Sequence, residues 1–297
     1  MTVSIPTLAD AAGLCYVRVS IWSARKLDKK QTQKSLAAAN ATNDGGRFNK
    51  HLLANADAKL KEVQRKGNQI RDYVEANTLP WDDAGNRLIS NVQMLKTVGD
   101  LANLQAEFNT AVDEFVAEYP VLRAQAIDNL GDMGDDSDYP QPDVVRSKFS
   151  VKVSYSPLPT GFGDIRHGMT QQQAQAWQAH FEGNVKAQVN SALTNAWTRL
   201  QEALERYSDR LQPRDGDDAD KMRIFKDTMV EGLRSTLDLL DSINVFNDAN
   251  LTAICKEVRS KVASIDAGQL RSSVSTAIGV KMDVDEILAR MKAFQNP

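Results

Sequence analysis

A run of apolar residues between positions 88 and 119 constrains this chain most. Leu88, Val92, Leu95, Val98, Leu101, Leu104, Phe108, Val112, Phe115 and Tyr119 recur every three or four residues. An α-helix completes a turn in 3.6 residues, so this spacing draws one stripe along about eight turns. A single stripe cannot bury itself and requires an antiparallel partner of similar length. The segment from 49 to 76, with Leu52, Leu53, Ala56, Leu60, Val63, Ile70 and Val74, is the natural candidate, because "TLPW" places a turn at Pro80 between the two. Pro120 is expected to interrupt the stripe, with a shorter helix continuing to Leu130.

Further stripes follow. Trp177, Phe181, Val185, Val189, Leu193, Trp197, Leu200, Leu204, Tyr207 and Leu211 predict a helix from 170 to 211, opened by a capping box of Thr170 and Gln173. Met222, Phe225, Met229, Leu233, Leu237, Leu240 and Ile243 predict another from near Asp220, and shorter helices are expected over 248–265, 267–278 and 283–294. Two segments have period two instead. In "CYVRVSIW", Cys15, Val17, Val19 and Ile21 face one way, and Tyr16, Arg18, Ser20 and Trp22 the other. In "KFSVKVSYSPLP", Phe149, Val151, Val153 and Tyr155 alternate with Lys148, Ser150, Lys152 and Ser154 until Pro157. A lone strand leaves its backbone groups unpaired, so these two are expected to pair with each other and to be covered by a helix.

The expected architecture is therefore mainly α: an elongated helical bundle or coiled-coil-like set of hairpins with a small β element from about 14–22 and 148–156. Two parts are expected. Residues 1–160 would hold both strands and the long hairpin, and 161–297 a C-terminal helical region. With 42% hydrophobic and 25% charged residues among 297, the composition is that of a folded chain with a real core. No apolar run reaches the length of a membrane span, and the N-terminus lacks the basic and apolar regions of a signal peptide. Cys15 and Cys255 lie far apart and outside any CxxC, as in a reduced, cytoplasmic protein.

Chemical motifs are sparse. His51, His167 and His180 are scattered and form no HExxH. The acidic run from Asp215 fails the calcium-loop template, because its sixth position is Asp220 rather than Gly and its twelfth is Lys226 rather than Glu. "GFGD" at 161–164 and "DGG" at 44–46 lack the GxxxxGK[ST] run of a phosphate loop. No GxSxG occurs. No catalytic residue, cofactor or metal is expected.

Charge is the more informative signal. The chain carries a net −3, yet the stretch from Arg18 to Lys34 has six basic residues against Asp28, and that from Arg47 to Arg71 has seven against Asp57 and Glu62. Arg18, Trp22, Arg25, Lys26, Lys29 and Lys30 are the candidate contacts to nucleic acid or to a partner, with Trp22 and Tyr16 available to stack on bases. The competing readings are a solvated helix face, Trp22 as a core anchor, and attraction of the patch to an acidic partner or to the chain's own Asp-rich loops.

"SIWSARKLDKK", "YPVLRA" and "DYPQPDVVRSKFSVKVSYSPLP" together resemble an uncharacterised domain family of bacteria and tailed phages. The likeness falls on Trp22, Arg25 and Lys26, on Tyr119 and Pro120, on Tyr139 and Pro140, and on Phe149, across roughly residues 10 to 200. Members are often encoded near ring-forming ATPases and von Willebrand-type domain proteins. The resemblance implies a non-catalytic phage or prophage structural or interaction protein in the host cytoplasm. Self-association or another protein is the expected partner, with no membrane. A DNA-binding accessory protein is the alternative, and an enzyme of unknown class is a third reading that no motif carries.

Overall fold

The structure is a computed structural model that describes residues 5–42, 45–53, 58–159, 170–212, 225–244 and 248–295. It is mainly α with a small antiparallel β element. The described helices are α1 (Ile5–Ala11), α2 (Lys29–Ala38), α3 (Ala58–Asn77), α4 (Asn91–Leu130), α5 (Pro142–Ser147), α6 (Gln171–Arg210), α7 (Asp227–Ile243), α8 (Ala249–Lys261), α9 (Ala267–Ser272) and α10 (Val274–Gln295). The strands are β1 (Ala12–Ser20), β2 (Arg25–Leu27), β3 (Asn49–His51), β4 (Leu79–Pro80), β5 (Asn86–Ser90) and β6 (Ser150–Pro157). No described helix is long and apolar enough to cross a membrane.

The two period-two segments are neighbours, as their patterning predicts. One sheet has the order β4-β5-β1-β6 and a second joins β2 to β3. The first sheet also holds β5, which the sequence reading places inside a helix. Leu88 fits a strand and a helical stripe equally well, and only the antiparallel register of Ala12–Tyr16 on Asn86–Ser90 decides between them.

Packing divides the chain into two units, and not at residue 160. The first comprises residues 1–16, 75–97 and 154–297, and the second 17–74 and 98–153. The boundary follows long-range packing, because β1 passes from the first unit into the second and β6 passes back.

In the second unit, α3 and α4 run antiparallel. Lys59 pairs with Glu114 at 2.9 Å, Lys66 with Glu107 at 2.5 Å, and Tyr73 Oη donates to Asp100 at 2.6 Å, so one number falls as the other rises. Val63, Ile70, Leu101, Phe108, Val112, Phe115 and Tyr119 share its core. Two expectations for α4 need correction. The helix continues through Pro120, which is exposed, so the missing N–H costs one ladder bond while buried Tyr119 and Ala126 hold the turns on either side. Val92 and Leu95 are 85% and 86% exposed, so the buried stripe begins only at Leu101. Gly67 lets the end of β1 and the residue just past it approach α3: a Cβ there would stand 3.3 Å from Val19 Cγ1, 2.5 Å from Ile21 Cδ1 and 3.4 Å from Phe108 Cε2 of α4.

In the first unit, α6 packs on α10 and α7, which in turn meets α8 and α9. Leu200, Leu204, Tyr207, Leu237, Val258, Val284 and Ile287 fill its core, along with Leu14, Leu79 and Leu88 from the sheet. The Thr170–Gln173 capping box is present. The break expected between 278 and 283 falls instead at Ser273, so one helix, α10, runs from there.

Candidate functional site, a cationic module

The described residues of 24–53 form a small module around the β2–β3 pair. After β1 ends at Ser20, Ala24 takes a left-handed conformation (φ 50°), which costs a non-glycine residue about 1–2 kcal/mol, and its carbonyl accepts from Leu52 N–H at 2.7 Å. Asp28 caps α2 by accepting from Gln31 N–H at 2.8 Å. Thr32 Oγ1 donates to Asp28 O and accepts from Phe48 N–H, tying the helix to the incoming strand. The antiparallel register sets Lys26 directly opposite Lys50.

Two like charges opposed on one sheet face repel, so they need an anion. The second unit supplies it from the turns that follow α4. Asp138 pairs with Lys26 at 2.5 Å and also with Lys50. The Lys50 side chain is only 7% exposed, and its Nζ donates to Met133 O at 2.8 Å with Asp28 at 3.8 Å. Burial works against ionised Asp138, but the hydrogen bonds from Lys26 and Lys50 outweigh it and hold its pKa below the usual carboxylate range. The turn is fixed at three further points. Tyr139 Oη donates to Leu52 O at 2.8 Å, Tyr119 Oη donates to Pro140 O at 3.0 Å, and Arg123 grips Asp136 through Nε at 3.0 Å and Nη2 at 2.6 Å.

This exchange extends along the unit. Residues 17–74 carry thirteen Lys and Arg against five Asp and Glu, whereas 98–153 carry four against eleven. The basic stretches thus meet an acidic counterpart inside the same unit. The attraction to the chain's own Asp-rich loop, raised from sequence, is realised at residues 131–139. The other acidic run, 215–220, and "GFGD" lie outside the described residues.

The six candidate contacts accordingly separate. Trp22 is withdrawn: it is 8% exposed and sits edge-on to Tyr119 at 5.8 Å and tilted to Phe115 at 6.5 Å, so it cannot stack on a base. The strand stops before it, which frees its ring from the alternation that pointed it outward. Lys26 is engaged by Asp138. Arg18, Arg25, Lys29 and Lys30 are exposed, as are Lys34 and Arg47. Among the described residues none of these six is ion-paired with a carboxylate. Lys29 and Lys30 occupy the first turn of α2, the positive end of the helix dipole, where a cation is unfavourable by about 0.3–1 kcal/mol. Lys50 and Asp138, which organise the module, stand out in the sequence only as members of a basic stretch and an acidic loop; the β2–β3 register sets Lys50 opposite Lys26, and the turn after α4 brings Asp138 to both.

Other groups are chemically quiet. Burial pushes the Cys15 thiol up to about 11, against the opposing charge of Arg87, and Cys255 up to about 12, so neither is a ready thiolate. Ser208 Oγ donates to Asp285 at 2.6 Å and accepts from Lys281 Nζ at 3.2 Å, the residue types of a nucleophile and base. Burial opposes ionisation of Asp285, but the bonds from Lys281 and Ser208 prevail and keep its pKa low, which makes it a poor base. A cleft of about 530 Å³ beside Tyr119, Pro120, Ile127 and Pro142 contains Arg123, but that guanidinium is already held by Asp136. Among the described residues no three His, Cys, Asp or Glu are grouped to hold a metal ion.

Comparison with protein-family models, with curated proteins and with solved structures finds no match to this chain.

Proposed function

We propose that the protein works without catalysis, as an interaction subunit, and that residues 24–53 dock an acidic surface of a protein partner. One observation carries this reading: Arg25, Lys29, Lys30, Lys34 and Arg47 remain exposed and without a described carboxylate partner in a unit that pairs many of its other cations. The module's inner lysines already bind a carboxylate, which is the chemistry the outer ones offer. A partner presenting clustered Asp and Glu fits them by charge complementarity. With Trp22 in the core, one of the two rings that the sequence offered for stacking on single-stranded nucleic acid is withdrawn. A tailed-phage or prophage assembly as the setting rests on the resemblance at Trp22, Arg25, Lys26, Tyr139 and Phe149.

The test compares fluorescently labelled poly-glutamate with a labelled DNA duplex of equal charge at matched salt, using the whole chain and the triple variant Arg25→Glu, Lys30→Glu, Lys34→Glu. Poly-glutamate is expected to bind the unaltered chain more tightly, and the variant to lose at least about tenfold, or 1.4 kcal/mol. Tighter binding of DNA, with a steep salt dependence, would replace this reading with the nucleic-acid one. Light scattering of the same samples distinguishes a second copy as the acidic partner: a mass above 32.8 kDa that falls in the variant identifies it.

A further inference from the structure

The first unit contains a second pair of cations, in a different setting. Arg87 lies on β5 and Arg199 on α6, and both are half-buried. Arg87 Nε donates to Thr78 Oγ1 at 2.6 Å and Nη2 to Thr78 O at 3.2 Å, while Arg199 Nη1 donates to Glu75 O at 2.7 Å. Both guanidiniums therefore reach the same short stretch at the end of α3. These three bonds go to neutral oxygens and leave most of the two guanidiniums' N–H groups unused. Among the described residues no carboxylate is hydrogen-bonded or ion-paired with either one.

Capping the end of α3 accounts for one cation there, since the last carbonyls of a helix favour a positive group. It does not account for two. Burial lowers the pKa of both guanidiniums. Arg87's charge depresses Arg199 further, so the two lie within electrostatic reach, and Glu75 opposes the effect only through space. Two partly desolvated charges of one sign are stabilised by an anion between them. One turn before Arg199, on the same face of α6, the Oδ1 of Asn195 is buried and has no hydrogen-bond partner. A buried acceptor in that state is missing a donor.

We infer that Arg87 and Arg199 form a binding site for a phosphate group, with Asn195 Oδ1 accepting from its remaining P–OH. Guanidinium forks match the oxygens of a phosphate. Hydrogen phosphate supplies both the anionic oxygens and the single donor, whereas sulfate at neutral pH supplies the oxygens alone.

The experiment titrates the whole chain with inorganic phosphate and, separately, with sulfate, against chloride at equal ionic strength, by calorimetry at pH 7. Saturable one-to-one binding of phosphate is expected, weakened at least about tenfold by Arg199→Gln or Arg87→Gln, the loss typical of one charge-assisted contact. Phosphate should bind more tightly than sulfate, and Asn195→Ala should remove that preference. Absence of saturation by about 20 mM phosphate, a Kd too weak for a built site, overturns the inference. Equal affinity for the two anions removes Asn195 from it. Where an Arg variant fails to fold, phenylglyoxal modification of the unaltered chain gives the answer. Phosphate should slow the modification of Arg87 and Arg199 but not of exposed Arg206, and equal slowing of all three overturns the site. Phenyl phosphate then distinguishes a free ion from an ester. With a second pKa of about 6 it is mostly a dianion without a P–OH at pH 7, so it should bind more weakly than phosphate and be insensitive to Asn195→Ala. Tighter binding than phosphate removes Asn195 from the site and identifies an ester as the ligand.

Discussion

Replacing Asp138 with Asn removes the one anion that both Lys26 and Lys50 hold, and the structure sets the size of the effect. The Asp138 side chain is 10% exposed and that of Lys50 7%, so this arm is a buried pair. Breaking such a pair by removing one partner costs about 3–5 kcal/mol, because the remaining charge stays buried. The Lys26 arm is 46% exposed on the lysine side and adds at most about 1 kcal/mol. Asn keeps the volume and an acceptor, so a loss of about 3 kcal/mol from the second unit is expected. Lys50→Met leaves Asp138 to Lys26 and Met133 O without its donor, a loss of about 2 kcal/mol. The double variant should then cost at least about 1 kcal/mol less than the sum of the two, since neither Asp138 nor Lys50 then leaves the other as a buried charge without its partner. Urea denaturation followed by ¹⁹F NMR of 5-fluorotryptophan reads this locally, because Trp22 is the one Trp of that unit and Trp81, Trp177 and Trp197 belong to the other. Additive losses, or a single loss under about 0.5 kcal/mol at Asp138, would refute the reasoning. The pH dependence has a definite sign. Asp138 has a depressed pKa in the folded state, so the unfolded chain binds the proton more readily. Its contribution is complete above the ordinary carboxylate value near 3.9 and is lost as pH falls through the folded value. Asp138→Asn should lack that acid-dependent part.

Three further outcomes follow from burial. Leu101→Ala, at 2% exposed, should cost about 2–5 kcal/mol in a urea melt, and Leu95→Ala, at 86%, under about 0.5, although both belong to one sequence stripe. Gly67→Leu should destabilise by more than Gly67→Ala, since Ile21 Cδ1 can swing away from one methyl but Phe108 and Val19 close the remaining space; equal thermal midpoints for the two would contradict this. Cys15 and Cys255 should resist iodoacetamide in the native protein at pH 8 and react on unfolding, as mass spectrometry of the alkylated chain will show.

Much of the helical architecture was legible because its stripes are long and the period repeats. The pairing of β1 with β6 was legible for the same reason, at period two. Short elements were not. In β5, "NRLIS" offers five residues whose Leu88 also completes the helical stripe, and β2 and β3 have three residues each with little apolar content. Trp22 misled because alternation holds only while the strand lasts. Val92 and Leu95 misled because a stripe reports what a helix can bury, not where its partners lie. At the candidate site the excess charge was visible, and so was an acidic loop able to answer it. The division between Lys26, which is bound, and Arg25, which is free of described partners, depends on strand register. The pairing of Arg87 with Arg199 is likewise beyond local sequence, since 112 positions separate them.

The account centres on a division of labour among cations: inner ones hold the second unit together, and outer ones meet a partner. A single protein answers it. In the Arg25→Glu, Lys30→Glu, Lys34→Glu variant, the thermal midpoint and the affinity for labelled poly-glutamate are measured on the same preparation. The account predicts a midpoint within about 3 °C of the unaltered chain, as for exposed substitutions, together with an affinity reduced at least about tenfold. A collapsed midpoint, or an unchanged affinity in a folded variant, would contradict it.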